Sequence, residues 1–413
     1  MSRRVVLQVV DAEGVELGTF RCEVATPWLQ EVGDVLATAR AAGLALGVLR
    51  LVAHEPGEAG MPTRCTYLAE ALEQPPAGSL DPPLGLVQDA HPLRLPYAKP
   101  GGNAADIAWA DGVLRTQARR RVGAAEQQRT WNLSCVHRLP LDHDDSAWLK
   151  VVPPFFAHEG ATIAAITRLE ATMGTNARVL RLPHLRGHDA LAGRVLLAHC
   201  EGPLMWGCTP ADWTTVIDAH VDRQWRLRGS LSSLRALGLP DWRGRSLHAS
   251  LATLCSRADV LATLLPAERA ALATLLAGLA DRLAAITACG LPDALVHGDL
   301  HPGNVIAAAD GPVLLDWGDA GIGHPLLDVP ALCHGFEPMQ QREVRQRVAT
   351  AWRARVPAAD VDRALALMAP VVELRQALIY RTFLDAIEPA ERHYHEADVP
   401  ARVRAALAAA EPG

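Results

Sequence analysis

Residues 295–304 read LVHGDLHPGN, and residues 313–319 read VLLDWGD. Between these stretches, VIAA at 305–308 and VLL at 313–315 predict two short strands, and Asp310-Gly311 is typical of a two-residue hairpin turn. An antiparallel return brings the residue before the first strand close to the residue after the second. We therefore expect the side chains of Asn304 and Asp316 to lie about one cross-strand spacing apart, close enough to share a metal ion.

Asp299 adds a third oxygen-bearing side chain, five positions before Asn304. It lies in a loop whose histidine, glycine and proline residues suit a fixed, non-repetitive backbone. One carboxylate and one amide, with room left for water and substrate oxygens, form the ligand set that a magnesium–phosphate complex requires. The remaining carboxylate can orient a nucleophilic hydroxyl group. The segment therefore predicts Asn304 and Asp316 as metal ligands and Asp299 as the catalytic residue.

The order His-Gly-Asp, four residues, Asn, and then a strand ending in Asp resembles the catalytic and metal loops of a known family. This is the aminoglycoside phosphotransferase and choline kinase family, small-molecule relatives of the protein kinases. The resemblance implies an α+β, bilobal protein-kinase-like fold with a mixed α/β N-lobe and a mainly helical C-lobe. It also implies Mg²⁺-dependent transfer of the γ-phosphate of ATP or GTP to a hydroxyl of an aminoglycoside, amino sugar or related metabolite. Asp328 matches the family's helix-start aspartate, which braces the catalytic loop by hydrogen bonds.

Lys150 lies in the apolar segment AWLKVV at 147–152. Of the 40 basic residues only Lys150 and Lys99 are lysines, so the chain uses arginine almost everywhere else. A buried ammonium group needs a partner, and Glu159 opens the predicted helix 159–169 nine positions later. The pair resembles the kinase strand lysine that holds the α- and β-phosphates and the helix glutamate that steadies it. The alternative is an edge-strand lysine that points to water.

The segment RVLLAHCEG at 194–202 predicts a strand that runs into a polar connection ending in glycine. By resemblance this is the hinge between lobes, where backbone groups from Ala198 to Cys200 would bind the nucleobase. Two departures from the family stand out. No Gly-x-Gly-x-x-Gly occurs in residues 120–140, so the γ-phosphate clamp has no candidate, and His324 replaces the aspartate of the family's usual Gly-Asp-Pro.

The chain is predicted to have three parts: an N-terminal α+β cap domain with a linker at 1–90, an N-lobe at 91–202 and a helical C-lobe at 203–413. In the first part the sequence predicts strands at 5–10, 16–24, 44–52 and 64–69 and a helix at 28–43. Proline and glycine mark residues 75–103 as a linker. Later segments predict a helix at 103–118, a strand at 130–139, and helices within 210–237, 246–288 and 340–412.

Composition excludes several classes of function. The net charge is −6, and no lysine or arginine cluster is dense enough for a nucleic-acid surface. The weakly apolar segment before Asp11 is too short for a signal peptide, and no apolar run of about 18 residues occurs elsewhere, so we expect neither export nor a membrane span. Eight cysteines without a Cys-x-x-Cys spacing indicate reduced thiols, so we expect a cytoplasmic protein. The mixed charges of residues 373–396 indicate neither a cationic nor an anionic acceptor, and the sequence leaves the oligomeric state open.

Two other functions fit parts of the pattern. Gly298-Asp299-Leu300-His301 superficially resembles a metallophosphoesterase element, but such two-metal sites need further His and Asp ligands, and no Gly-Asn-His-Glu/Asp element follows. A catalytically silent nucleotide-binding module that regulates a partner is the second alternative, and the complete polar set argues against it. A protein acceptor is disfavoured because no Ala-Pro-Glu and no activation segment follow Asp316.

Overall fold

The computed structural model describes residues 2–56, 63–85, 90–173 and 179–410. The chain divides into two compact units. The first comprises Met1–Ala157, His184–His199 and Ala386–Tyr394, and the second comprises His158–Pro183, Cys200–Asp385 and His395–Gly413. Sheets and helices occur in both units, which confirms the predicted α+β class. The predicted domain boundaries after residues 90 and 202 stay a prediction.

The first unit opens with a four-stranded sheet and one helix. These elements are β1 Arg3–Val10, β2 Glu16–Val24, α1 Gly33–Ala41, β3 Leu46–Glu55 and β4 Thr63–Ala71. The strand order is β2-β1-β4-β3, with β1 and β4 parallel and the other neighbours antiparallel. Alternate residues of β1, including Val5, Leu7 and Val9, share an apolar core with Val35 and Leu36 of α1. The four strands predicted for this region are thus confirmed.

Helix α1 begins at Gly33, so the predicted helix start at residue 28 is wrong. The residues before it pair with a neighbouring strand instead. The N–H of Thr130 donates to the carbonyl of Gln30 at 3.0 Å, and the N–H of Val32 donates to the carbonyl of Gln128 at 3.0 Å. Backbone groups used in extended pairing cannot also close helical turns, and Trp28 is left 64% exposed.

A five-stranded antiparallel sheet and one helix form most of the remaining first unit. These elements are α2 Gly102–Thr116, β5 Glu126–Trp131, β6 Ser134–Pro140, β7 Ser146–Val151, β8 Leu185–Asp189 and β9 Arg194–Ala198. The strand order is β5-β6-β7-β9-β8. Leu139, Leu149 and Leu196 pack with Leu114 of α2 in the apolar core beneath the sheet.

The single strand predicted at 130–139 is wrong, because β5 and β6 form a hairpin that turns at Asn132-Leu133. The turn is anchored within the same unit: the N–H of Asn132 donates to the Glu391 carboxylate at 2.6 Å, and its side-chain oxygen accepts from the N–H of Glu388 at 3.4 Å. These partners lie more than 250 positions away, so the local sequence gives no sign of them.

The second unit is mainly helical, as predicted. Its helices are α3 Glu159–Thr172, α4 Pro210–Leu227, α5 Leu231–Arg235, α6 Gly244–Cys255, α7 Ala258–Ala262, α8 Pro266–Ala277, α9 Leu279–Ala288, α10 Val329–Leu332, α11 Pro338–Arg355, α12 Val361–Ala386 and α13 Asp398–Ala410. Over the described ranges, no single helix is long and apolar enough to span a membrane. Only α8 and α9 together, with a 47° bend between them, meet that length and composition.

Two small sheets carry the loops of interest in the second unit. Their strands are β10 Asp241–Trp242, β11 Ala294–Val296, β12 Val305–Ile306, β13 Val313–Leu314 and β14 Gly321–Gly323. Strands β10, β14 and β11 form one sheet, and β12 pairs with β13. The predicted two-residue hairpin turn is wrong, since residues 307–312 separate β12 from β13. The loop is wider because the N–H of Ala307 donates away from the hairpin, to the carbonyl of Pro203 at 2.9 Å.

Candidate active site

The loop after β11 has a backbone that only glycine allows at one point. Gly298 has φ +88, and a Cβ atom there would stand 2.3 Å from the carbonyl oxygen of Asp319. Farther along, residues Pro302–Asn304 form a single 3₁₀ turn, and Nδ1 of His301 accepts a hydrogen bond from the N–H of Gly303 at 3.0 Å. Close packing and this cap hold the loop in one conformation.

Asp299 and Asn304 are joined across this loop. The side-chain NH₂ of Asn304 donates to the main-chain oxygen of Asp299 at 2.9 Å and to its carboxylate at 3.0 Å. The amide nitrogen of Asn304 therefore faces Asp299. The carbonyl oxygen of the Asn304 side chain accepts no hydrogen bond within the described part of the chain and remains available to a cation. The Asp299 side chain is 44% exposed and lines a cavity of about 410 Å³.

The β12–β13 hairpin brings Asp316 to the same end as Asn304. Val305 pairs with Leu314, and the N–H of Leu315 donates to the carbonyl of Asn304 at 2.8 Å. Asp316 is the next residue and adopts a left-handed conformation, with φ 58 and ψ 71. For a residue other than glycine this conformation is uncommon, so the surrounding structure must hold it in place.

His297 links the loop of Asp299 to the strand that precedes Asp316. Its Nε2–H donates to the carbonyl of Leu315 at 3.0 Å, and its Nδ1 accepts from the N–H of Asp299 at 3.3 Å. Burial lowers the pKa of His297 to about 4, so the ring is neutral near pH 7. A neutral imidazole with one donor and one acceptor meets both of these needs.

Asp328 braces the same loop by hydrogen bonds, as the family resemblance implies. Its carboxylate accepts from the backbone N–H groups of His297 at 3.1 Å and Gly298 at 2.7 Å. His220 and Gln224 donate to it at 2.8 and 3.0 Å. Burial alone would raise the pKa of Asp328, but the hydrogen bonds from His220 and Gly298 hold it below the usual value.

Sequence reasoning missed His220 and Gln224, although helix α4 carries a signal for them. Its buried face repeats at three- and four-residue intervals through Trp213, Val216 and Ile217. His220 and Gln224 continue that face and are 1% exposed. Two polar side chains one turn apart in an apolar face imply a buried polar partner, which here is Asp328.

Glu159 is the first residue of helix α3 and is 1% exposed. Its carboxylate accepts a hydrogen bond from the N–H of Trp317 at 3.3 Å, directly after Asp316. The Trp317 ring is fully buried and meets His297 edge to face, with 4.7 Å between ring centroids. Within the second unit, Glu159, Asp316 and the loop of Asp299 are therefore connected through one set of contacts.

Lys150 and Ala198 belong to the first unit. Lys150 is half-buried on β7 and pairs with Val195 of β9, two strands from the β8 edge of the sheet. Its predicted ion pair with Glu159 stays a prediction. Ala198 ends β9, and its N–H donates to the carbonyl of His184 at 2.8 Å. The N–H of Ala198 is thus occupied, so nucleobase binding at this residue would fall to its carbonyl oxygen. Cys200 is half-buried in the connection that follows.

The side chains fit a magnesium ion better than a dense metal cluster. Over the described residues, no group of three or more His, Cys, Asp or Glu side chains is arranged to hold a metal ion. The metallophosphoesterase alternative needs such a group. Mg²⁺ keeps several water or phosphate ligands and needs only one or two protein oxygens. The Asn304 carbonyl oxygen and the Asp316 carboxylate match that requirement.

Comparison with known proteins gives matches of several kinds. The chain matches the family model of the phosphotransferase enzyme family, APH, over residues 160–367, about half of its length. This range includes Asp299, Asn304 and Asp316, whereas Lys150 and Glu159 precede it. Over 49 residues the chain is 55% identical to a probable serine/threonine-protein kinase of Thermomonospora curvata, a match that spans 12% of this chain and 6% of that protein.

Solved structures of two further proteins are similar to this chain. A macrolide 2′-phosphotransferase from Brachybacterium faecium is 15% identical, with a TM-score of 0.47 over 75% of this chain and 100% of the other. A choline/ethanolamine kinase family protein from Mesorhizobium loti is 18% identical, with a TM-score of 0.44 over 73% and 98%. The family resemblance expected from residues 295–319 is confirmed by the family model, and the chain belongs to the phosphotransferase enzyme family.

Proposed function

We propose that the protein transfers the γ-phosphoryl group of ATP or GTP to a hydroxyl of a small molecule, such as an aminoglycoside, an amino sugar or a related metabolite. The observation that carries this proposal is the arrangement of three oxygen-bearing side chains. Asp299 and Asn304 are hydrogen-bonded to each other, and the strand pairing places Asp316 at the same end of the hairpin.

Asp299 acts on the acceptor. Its half-exposed carboxylate at the cavity wall accepts a hydrogen bond from the acceptor hydroxyl and takes its proton as the new O–P bond forms. The bond between the γ-phosphorus and the bridging oxygen breaks, and the nucleoside diphosphate leaves with that electron pair. Asn304 donates one hydrogen bond to the Asp299 carboxylate and one to the main-chain oxygen of Asp299, which hold the side chain and its backbone in position, so little reorganisation is needed during transfer.

Asn304 and Asp316 would hold Mg²⁺ through one amide oxygen and one carboxylate. The ion would neutralise charge on the β- and γ-phosphates, which is the part of the chemistry that these side chains cannot supply. The protein's own contribution is rigidity. Asp328 and His297 fix the loop and the hairpin end by hydrogen bonds, so the two ligands are set before the nucleotide binds.

The proposed nucleotide-binding residues lie on the five-stranded sheet, in the connection after it and at the start of α3. Lys150, steadied by Glu159, holds the α- and β-phosphates, and the backbone of Ala198 and Cys200 binds the nucleobase. The scarcity of lysine in the sequence supports the role of Lys150. The end of β9 at Ala198 supports the placement of the nucleobase. We place the enzyme in the cytoplasm, with a small hydroxyl compound as its partner.

The test is acceptor-dependent release of the nucleoside diphosphate. Purified protein is given Mg-ATP or Mg-GTP with a panel of aminoglycosides, amino sugars and other hydroxylated metabolites. At least one acceptor should stimulate release, and omission of magnesium should abolish the stimulation. Tight nucleotide binding without stimulation by any acceptor would instead support a catalytically silent binding module.

A further inference from the structure

The cavity beside Asp299 is lined by an arginine with two buried N–H groups that have no hydrogen-bond acceptor in the described part of the chain. Arg375 lies on α12, lines the 410 Å³ cavity and is only 2% exposed. Its Nε and Nη2 groups are buried, and neither has a hydrogen-bond acceptor among the residues that the structure describes. A buried donor without a partner costs on the order of 1–3 kcal/mol, and more when the group is charged.

Arg375 reaches the residue next to the catalytic carboxylate. A Cβ atom added to Gly298 would stand 3.0 Å from Nη2 of Arg375. The guanidinium also lies 5.3 Å from the ring of Trp242. Burial lowers the pKa of Arg375, while the charges of Asp328, Asp319 and Asp299 act in the opposite direction. The three carboxylates therefore offset part of the effect of burial, and neither Nε nor Nη2 donates a hydrogen bond to them in the part of the chain that the structure describes.

The other charges on the cavity wall do not favour a polycation. Among the described residues that line it, Asp299 and Glu373 are the only carboxylates, and Glu373 is already paired with Arg402 at 3.0 Å. Arg345 adds a further positive charge, and its contact to Gln341 is a weak one at 3.4 Å. A polycationic acceptor would meet Arg345 and Arg375, which have no hydrogen-bonded carboxylate among the residues described by the structure.

We propose that the acceptor carries an oxyanion, a carboxylate or a phosphate, that binds Arg375 while its hydroxyl meets Asp299. The planar guanidinium offers two adjacent donors, which match two oxygens of such a group. Binding to the guanidinium would fix the hydroxyl relative to the catalytic carboxylate. This inference rests on the proposed phosphotransferase function and narrows its substrate class to hydroxylated anions.

Four compounds that share the glucose ring but differ in their charged group test the inference: glucose, glucosamine, glucuronate and glucose 6-phosphate. Calorimetry measures their binding to the wild type, to Arg375→Met and to Arg342→Met. Arg342 is exposed on α11 and does not line the cavity, so its substitution is the matched control. One or both anionic probes should bind the wild type more tightly than glucose or glucosamine, and their order distinguishes carboxylate from phosphate. Arg375→Met should weaken that binding about tenfold or more, whereas Arg342→Met should not.

Two other outcomes overturn the inference: equal binding of all four probes, which would mean that water satisfies Arg375, and tighter binding of glucosamine. If Arg375→Met does not fold, Arg375→Lys replaces it in the binding measurements. The order in which the wild type binds the four probes then still tests the inference. Diphosphate release from Mg-ATP is measured with the same probes. Anion binding through Arg375 without diphosphate release, with these probes and with every acceptor of the panel, would support the anion site and contradict the proposed function. Release with glucosamine alone would support the proposed function and contradict the anion site.

Discussion

Replacement of Asp328 by asparagine tests whether the catalytic loop is held by the buried carboxylate. One carboxylate oxygen accepts hydrogen bonds from His220, Gln224 and the N–H of His297, and the other accepts from the N–H of Gly298. An amide has one acceptor oxygen and an NH₂ group. If its oxygen replaces the first carboxylate oxygen, the NH₂ must face the N–H of Gly298, and the opposite orientation loses three bonds.

The expected loss of stability follows from the number of hydrogen bonds that the Asp328 carboxylate accepts. Loss of one charge-assisted hydrogen bond costs about 1.5–3 kcal/mol, and a buried donor left unsatisfied costs about 1–3 kcal/mol. We expect Asp328→Asn to lower the free energy of unfolding by about 3 kcal/mol or more. Because Gly298 precedes Asp299, a loop shift of about 1 Å should also lower kcat by about 100-fold.

Urea unfolding and steady-state kinetics measure the two effects. Asp362→Asn is the control, since Asp362 has a 77% exposed side chain and a surface substitution should change stability by less than about 0.5 kcal/mol. An Asp328→Asn protein with an unchanged unfolding midpoint and wild-type kcat would refute the bracing role.

Three further predictions concern the metal, the phosphates and pH. Asp316→Ala should abolish magnesium-dependent nucleotide binding, and equal Mg-ATP affinity by calorimetry would remove Asp316 from the site. Lys150→Arg should preserve the circular dichroism spectrum but weaken ATP use about tenfold or more, because a planar guanidinium cannot replace the ammonium; unchanged kinetics would argue against a phosphate-holding lysine. Because the pKa of His297 is about 4 in the folded protein and about 6.5 for a histidine exposed to water, the unfolded chain binds more protons between these values. Its contribution to stability should thus fall by roughly 3 kcal/mol from about pH 6.5 to about pH 4, and an NMR titration of His297 near 6.5 would contradict this.

Local spacing explains why part of the site could be predicted from sequence. Asn304 and Asp316 flank two short strands, so strand pairing alone brings them to the same end of a hairpin. That inference holds even though the turn is six residues long, because the pairing of Val305 with Leu314 sets the register. Asp299 could be placed because only five positions of rigid loop separate it from Asn304.

Contacts between distant parts of the chain could not be predicted in this way. The turn at Asn132 depends on Glu391, and the late start of α1 depends on pairing with residues 128–130. Neither partner affects local periodicity, so 130–139 looked like one strand. Arg375 also looked like one charge in a mixed set, since its burial beside Gly298 arises only from the packing of α12.

The most direct test of the central claim is phosphoryl transfer by the wild type and by Asp299→Asn with the same acceptor. Labelled γ-phosphate from ATP should appear on the acceptor with the wild type. Asp299→Asn should lower kcat by roughly 10²- to 10⁴-fold, the range for a positioned acid–base group, while nucleotide affinity stays nearly unchanged. Wild-type turnover by Asp299→Asn with its true acceptor would contradict the assignment of Asp299 as the catalytic residue.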